Sequence, residues 1–392
     1  MTCPVYLDHA ATTPMSPTAL EAYTRHAAAV GNASSLHASG RAARRVAEES
    51  REVIAAAVGA HPAEVIFTSG GTEANNLAVK GIFWARRALD PRRSRVLISA
   101  VEHHAVLDPA LWLAGHQGAE VALLPVDPDG VLDVSALRAE LASQGDQAAL
   151  VSVMLANNEV GAIQPVHAAA ALASAAGVPF HTDAAQAVGQ VPVSFHDLGV
   201  DAMTITAHKL GGPVGIGALV ARRGLPVEGL AHGGAQERDV RSGTLDVPAI
   251  AAFAAAVSEA VGDLDSRAQR IAGLRDALIA GVRAAVPGAT LRGPEPGATR
   301  LPGNAHFTFP NCDADSLLFL LDRAGIAAST GSACQAGVAE LSHVLLAMGL
   351  AEAEARGALR FTLGATSTSD DVAALLTALP DAFARARMAG LS

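Results

Sequence analysis
The stretch Met203-Thr-Ile-Thr-Ala-His-Lys-Leu-Gly-Gly-Pro213, continued by Val214-Gly-Ile-Gly-Ala-Leu-Val220, is a β-rich run that ends in a polar tip and turns back into a second apolar strand. Lys209 sits on that tip, ahead of a turn that Pro213 stiffens. A lysine at a strand end, hemmed in by Gly and Ala, loses solvation. Desolvation lowers an amine's pKa and makes it a usable nucleophile toward an aldehyde. A surface lysine in a hairpin loop fits the same residues, so the rest of the chain has to decide.

Outward from this stretch the pattern alternates. Ser16-Pro17 opens a helix running to about Val30, with Ser as N-cap and Pro at the first position, and 40–58 reads as an amphipathic helix. Strand-like runs stand at 65–67, 95–99, 121–124, 150–155, 179–182, 202–206 and 216–220. Helical runs stand at 73–87, 105–116, 135–143 and 167–176, with a further helical turn after Asp183. Short apolar strands separated by helices predict an α/β fold with a large, mainly parallel sheet covered on both faces. A long helix begins around Val261, and after Gly288 short strands (306–309, 359–362) alternate with helices (314–323, 370–387), the last of which Pro380 is expected to break or kink. The chain thus divides into a large α/β domain over 15–260 and a smaller α+β domain built from 1–14 and 261–392.

Composition bounds the function. A length of 392 residues, half of them apolar, is enough for two or three domains with large cores. Only 4% of residues are aromatic, and the net charge is -10 with 28 basic residues scattered along the chain, which argues against a nucleic-acid partner. The N-terminus lacks a basic region and a long apolar run, and no uninterrupted apolar segment reaches the roughly 20 residues of a membrane span. Cys3, Cys312 and Cys334 are too far apart for a disulfide framework or a zinc site. A cytoplasmic protein with reduced thiols, no membrane attachment and no metal of its own is expected.

Ligands in such sheets bind beyond the carboxyl ends of the strands. After 65–67 comes Thr68-Ser-Gly-Gly-Thr-Glu-Ala-Asn-Asn76, a small turn entering a helix: a phosphate cradle, or a simple helix cap with Thr72 as N-cap. Glu102-His103-His104 follows 95–99, offering a ring stacker or an acid/base group, or a solvated turn. Asn157 follows 150–155 and can bond a ligand or cap a turn. Asp183 ends an apolar strand, where it needs a cationic partner, and Gln186 shares its face. His208 and Lys209 follow 202–206. An amine for an aldehyde, a carboxylate for a pyridinium nitrogen, donors for a ring oxygen and an anchor for a phosphate together are what pyridoxal 5'-phosphate needs. No G-x-G-x-x-G with an acidic residue beyond it supports a nicotinamide site, and no P-loop is present.

The ordered segments Tyr6-Leu-Asp-His-Ala-Ala-Thr-Thr-Pro14, Thr68-Ser-Gly-Gly-Thr-Glu-Ala-Asn-Asn-Leu-Ala-Val-Lys-Gly81, Glu102-His-His-Ala-Val-Leu-Asp108, Asn157-Asn-Glu-Val-Gly161, Asp183-Ala-Ala-Gln186, His208-Lys209, Gln236-Glu-Arg-Asp-Val-Arg-Ser-Gly-Thr244, Gly331-Ser-Ala-Cys334 and Arg360-Phe-Thr-Leu-Gly364 resemble, over essentially the full length, the cysteine desulfurases of the class V, fold-type I pyridoxal-phosphate enzymes. The resemblance implies that Lys209 forms the Schiff base with the cofactor, that Asp183 pairs with its ring nitrogen and that His103 stacks on the ring and helps in proton transfer. It further implies that Asn157 and Gln186 contact the ring-oxygen side and that Gly71, Thr72, Thr206 and His208 hold the phosphate, with Thr244 arriving from the second subunit of a homodimer. Arg360, with Asn32, would hold the substrate carboxylate. The chain departs from the family in having Gly71 where Ala is commoner, Thr206 where Ser is usual, and Leu341 in place of a Pro.

Cys334 lies in a small, polar, Gly-bearing stretch suited to a mobile loop, whereas Cys312 and Cys3 carry no expected role. The resemblance implies that L-cysteine is converted to L-alanine while the Cys334 thiolate takes the sulfur as a persulfide, with His103 as a nearby proton acceptor. The persulfide is then passed to a sulfur-acceptor or iron–sulfur scaffold protein, Cys334 being able to ligate a cluster in passing. A selenocysteine lyase, a class V aminotransferase, or a non-catalytic scaffold for such partners are the alternative readings.

Overall fold
The apolar runs around Lys209 assemble into a seven-stranded sheet in the order Val65–Thr68, Gly217–Ala221, Ala202–Thr206, Phe180–Asp183, Ala148–Ser152, Arg95–Ser99, Glu120–Leu124. The structure, a computed structural model, describes residues 5–331 and 341–389. Only Gly217–Ala221 runs antiparallel to its neighbours. All strands but Glu120–Leu124 are buried along their whole length, because helices cover both faces. Asp183 pairs in register with Thr204, so Asp183 and the Thr206–Lys209 corner leave the sheet at the same carboxyl edge.

A second core gathers Leu7, Leu317, Phe307, Phe361 and Leu375. It is built on a three-stranded antiparallel sheet, Ala358–Thr362, Asn304–Thr308 and Thr290–Arg292, under the helices Leu264–Ala285, Ala314–Arg323 and Ser369–Ala389. The start of the chain reaches this core as Val5–Tyr6, paired in parallel with Ile326–Ala327.

Two helices meet at Asp263: Val247–Gly262, which the sequence pattern does not show, and Leu264–Ala285, the long helix expected from about Val261, set at 73° to it. The first packs its Ala-rich length between Pro17–Ala27 and Ala38–Ala57. Apolar residues on nearly every side hid its period. Pro380 does not end its helix, which runs on through Ser369–Ala389. The proline is on the exposed face, while Leu375, Leu379, Ala382 and Ala386 on the other face are held in the core. After Asp183 the expected helical turn forms, with Ala187 N donating to Ala184 O at 2.9 Å and Val188 N to the same oxygen at 3.2 Å.

The sheet's first strand is tied to a distant loop by one buried ion pair. Arg51 donates to Glu237 through both terminal nitrogens, at 2.7 and 2.8 Å. Glu237 Oε2 also accepts the Phe67 N–H at 2.9 Å, and Arg51 Nη1 reaches Val65 O at 2.7 Å. Removing one member of such a pair strands a buried charge. Glu237→Ala is expected to lower the unfolding free energy by about 3–5 kcal/mol in urea titration, with Glu237→Gln, which keeps the acceptor for Phe67 N–H, less damaging.

Candidate active site
The carboxyl edge of the sheet opens into a cavity of about 370 Å³. Lys209 ends a single tight turn, Ala207–Lys209, and lines this cavity. Burial holds its amine at about 8, against an ordinary 10.5; Asp183 pulls it up, Arg360 pushes it down and Asp8 pulls it up. Near neutral pH a usable fraction is therefore free amine.

Asp183, 5% exposed, accepts from Asn75 Nδ2 at 2.7 Å and from the Ala185 N–H at 2.9 Å, so both its oxygens are fixed. Gln186 lines the same wall and is oriented by donating from Nε2 to Ala10 O at 2.8 Å. The helix after Val65–Thr68 starts at Gly71 and continues through a wide turn, Leu77–Gly81, to Leu89. Gly70, at φ 149°, precedes it, and no side chain caps its first N–H groups. Thr72 lies inside the helix, so the capping role is excluded and Gly71 and Thr72 face the cavity beside Thr206 and His208. Burial brings His208 down to about 4, the neutral ring bonding Thr12 Oγ1 at 3.2 Å.

His103 caps the helix His104–Gln117 and lines the cavity; its Nδ1 accepts the Ala105 N–H at 3.0 Å. Burial, then the Lys209 charge, lowers it to about 4. With Nδ1 used as an acceptor, the neutral ring carries its proton on Nε2. It offers a stacking face and a donor, which corrects the expectation of a proton acceptor for a thiol. Arg360, on Ala358–Thr362, donates from Nη1 to Asn158 O at 2.7 Å and from Nη2 to Asp8 Oδ1 at 2.8 Å, while its Nε is buried with no partner.

Three expected residues are not brought to this cavity. Asn157 is fully buried and spends its amide on protein: Nδ2 donates to Val101 O and Met154 Sδ, and Oδ1 accepts from Glu159 N and Val160 N. With both donors and both lone pairs in use it holds a turn, a correction to the expected ring contact. Asn32 is exposed, and its Oδ1 accepts the Ser34 N–H at 2.9 Å; this also is a correction within the single chain. Thr244 is exposed and outside the lining of its own chain's cavity. Cys334 lies outside the described residues.

Comparison with known proteins places this geometry in a family. The model of the aminotransferase class-V family matches residues 5–375. An IscS-like cysteine desulfurase of Mycobacterium tuberculosis is 55% identical over 387 residues, covering 99% of this chain and 98% of that protein. The chain belongs to the cysteine desulfurases of the class-V aminotransferase family. Among solved structures, a NifS-like protein superposes with a TM-score of 0.89 at 34% identity over 97% of this chain and all of its own. SspA in complex with cysteine superposes with a TM-score of 0.78 at 30% identity, covering 93% of this chain and 99% of that one.

Pyridoxal phosphate is the cofactor of this desulfurase-family chain, and the cavity suits it. Four buried polar atoms on its wall lack protein partners: Thr206 Oγ1, Asn75 Oδ1, Glu102 Oε2 and Arg360 Nε. Buried polar atoms without partners are costly; an occupant with anionic groups for Arg360 Nε and Thr206 Oγ1 and with donors for Asn75 Oδ1 would satisfy what the protein leaves open.

Several wall residues escaped the sequence reading. Asn75 was quoted within a motif without a task, yet it fixes Asp183. Glu102, immediately before His103, is 1% exposed; its Oε1 accepts the Met154 N–H at 2.6 Å, and burial raises it well above the ordinary carboxylate range. Glu159 is likewise raised by burial; its Oε2 accepts from Ser342 Oγ at 2.5 Å. His343 Nε2 bonds Glu102 O at 2.9 Å. Sequence shows that acids stand here; it does not show that they are buried.

Two outcomes are expected. A β carbon at Gly71 would meet Thr206 Cβ at 3.6 Å, an ordinary contact, so Gly71→Ala should raise thermal stability by up to about 1 kcal/mol and retain the cofactor. In cofactor-free protein, labelling of Lys209 by an amine reagent, read by peptide mapping, should rise through about pH 8 rather than the ordinary 10.5.

Proposed function
We propose that the chain converts L-cysteine to L-alanine and passes the sulfur, as a persulfide on Cys334, to an acceptor protein that serves iron–sulfur cluster assembly. The observation that carries the reading is the convergence of the Lys209 amine, the Asp183 carboxylate and the unpartnered Arg360 Nε on one cavity. The SspA relative solved with cysteine and the IscS-like desulfurase support the choice of substrate and of pathway.

Pyridoxal phosphate, when bound, supplies an aldehyde for the substrate amine and an electron sink for the bonds around its α carbon. Asp183, immobilised by Asn75 and Ala185, offers the negative charge that a protonated pyridine ring needs. Lys209 Nζ, held near 8 by burial, is the group that takes and returns the α proton. His103 stacks and donates from Nε2. Gly71, Thr72, Thr206 and His208 surround the phosphate position. Arg360 Nε receives the substrate carboxylate and orients the amino acid.

The Cys334 thiolate attacks the substrate sulfur. A new S–S bond forms, the carbon–sulfur bond breaks with its electron pair left on carbon, and a proton completes the methyl group of alanine. Carbon is reduced and sulfur oxidised, so no external redox agent is needed. Gly331, the last described residue before the segment that holds Cys334, and His343, the third described residue after it, both line the cavity, which supports its reach. We further propose a cytoplasmic homodimer in which Thr244, exposed and outside its own cavity, completes the partner's phosphate site.

Cys334→Ala should keep the cofactor's yellow colour and lose persulfide formation, measured by sulfide release and alanine production from L-cysteine. Undiminished sulfide release would remove Cys334 from its role. Arg360→Ala should raise KM for L-cysteine by roughly ten- to a hundredfold, as expected for a lost charged hydrogen bond.

A further inference from the structure
Arg360 and Lys209 are the cations that share the substrate end of the cavity, and both lie within electrostatic reach of Asp8. Asp8 is not on the cavity wall; it stands behind Arg360, its Oδ1 accepting from Nη2 at 2.8 Å. The chain delivers it there from the opposite end of the sequence. Residues 7–10 run alongside Ala358–Thr362: Thr362 N donates to Leu7 O at 2.7 Å, and Ala10 N donates to Thr362 Oγ1 at 2.9 Å. The guanidinium side chain is 4% exposed and the carboxylate 20% exposed, so water screens their interaction poorly.

Two of the five N–H donors of Arg360 are engaged, one on Nη1 by Asn158 O and one on Nη2 by Asp8, and Nε is buried with no acceptor. Its positive charge is already matched. The other wall acids at this end, Glu102 and Glu159, sit in dry surroundings; Glu102 accepts one backbone N–H and Glu159 one serine hydroxyl. Burial raises both above the ordinary carboxylate range, and the Arg360 charge acts on Glu159 in the opposite sense.

We propose that Asp8 is a specificity-determining positioning residue: by neutralising Arg360 it makes the cavity accept an amino acid with a single carboxylate and repel one that carries a second negative charge. The proposal rests on the reading of Arg360 as the site of the substrate carboxylate. A bare guanidinium in a dry cavity attracts any anion, and a dianion more than a monoanion. A guanidinium already paired with a carboxylate has a geometric preference for one more carboxylate at Nε and no surplus field to draw a second. Asp8 thereby excludes dicarboxylic amino acids by charge, without touching them.

The test uses the cofactor-loaded enzyme with propionate and succinate as probes. Each is measured as a competitor of L-cysteine turnover and, without cysteine, by the shift it causes in the cofactor's visible absorption. Native enzyme should bind succinate no more tightly than propionate. Asp8→Asn keeps an oxygen for Nη2 and removes the charge, and should improve succinate relative to propionate by about tenfold. Asp8→Glu, which retains the charge, should keep the native ratio. A residue that merely braced Arg360 would weaken both probes alike. An unchanged ratio in Asp8→Asn overturns the proposal. So does native enzyme that already prefers succinate by about tenfold, a measurement that needs no variant to fold. Propionate binding undiminished in Arg360→Ala would overturn the carboxylate reading itself, and the two failures are therefore distinguishable.

Discussion

Everything at this site depends on an amine held out of water. Burial alone would drive Lys209 further down, and the Asp183 carboxylate draws it back to about 8. That balance leaves a nucleophile that is partly unprotonated near neutrality yet still close to an anion. The sheet enforces it by geometry: Asp183 and Thr204 are in register on adjacent parallel strands, so the two groups leave the same edge and cannot drift apart without breaking the ladder.

Charge around the amine is distributed economically. Asp183 and Asp8 oppose Lys209 and Arg360. His103 and His208 are lowered to about 4, chiefly by burial, and so are neutral. The acids Glu102 and Glu159 are raised by burial. A cavity whose two cations each face a carboxylate, and whose histidines are neutral, can host a cofactor carrying a phosphate and a substrate carrying a carboxylate without a large net field. The neutral groups still direct it, because each supplies a fixed donor or acceptor.

How much of this could be read from the residues follows from what each inference needed. The sheet strands were legible because apolar runs of four to six residues between helices have few other solutions. Lys209, Asp183, Gln186, His103 and the Gly71–Thr72 turn were legible because each follows a strand, and parallel strands end together. Val247–Gly262 was not, since a helix apolar on nearly all sides shows no period. The break at Pro380 does not occur, because propensity speaks of an isolated helix, whereas Leu375 and Leu379 anchor this one. Asn157 misled for a different reason: an amide beside a cavity can serve the ligand or the loop, and only its four hydrogen bonds reveal the second. Asp8 and Arg360, more than 350 positions apart, meet by a topology that local pattern cannot disclose.

The Arg51–Glu237 pair does more than hold a loop. Val65–Thr68 is the outermost strand on its side of the large sheet, joined to Gly217–Ala221 alone, and its outer backbone groups would otherwise be open to pairing. The Phe67 N–H is claimed by Glu237, and the Val65 carbonyl by Arg51 and, at 2.6 Å, by Arg238. Side chains stand where the hydrogen bonds of another strand would go. An apolar border of this kind invites edge-to-edge association with other chains, and here it is sealed by ionic groups that cannot be extended into a ladder.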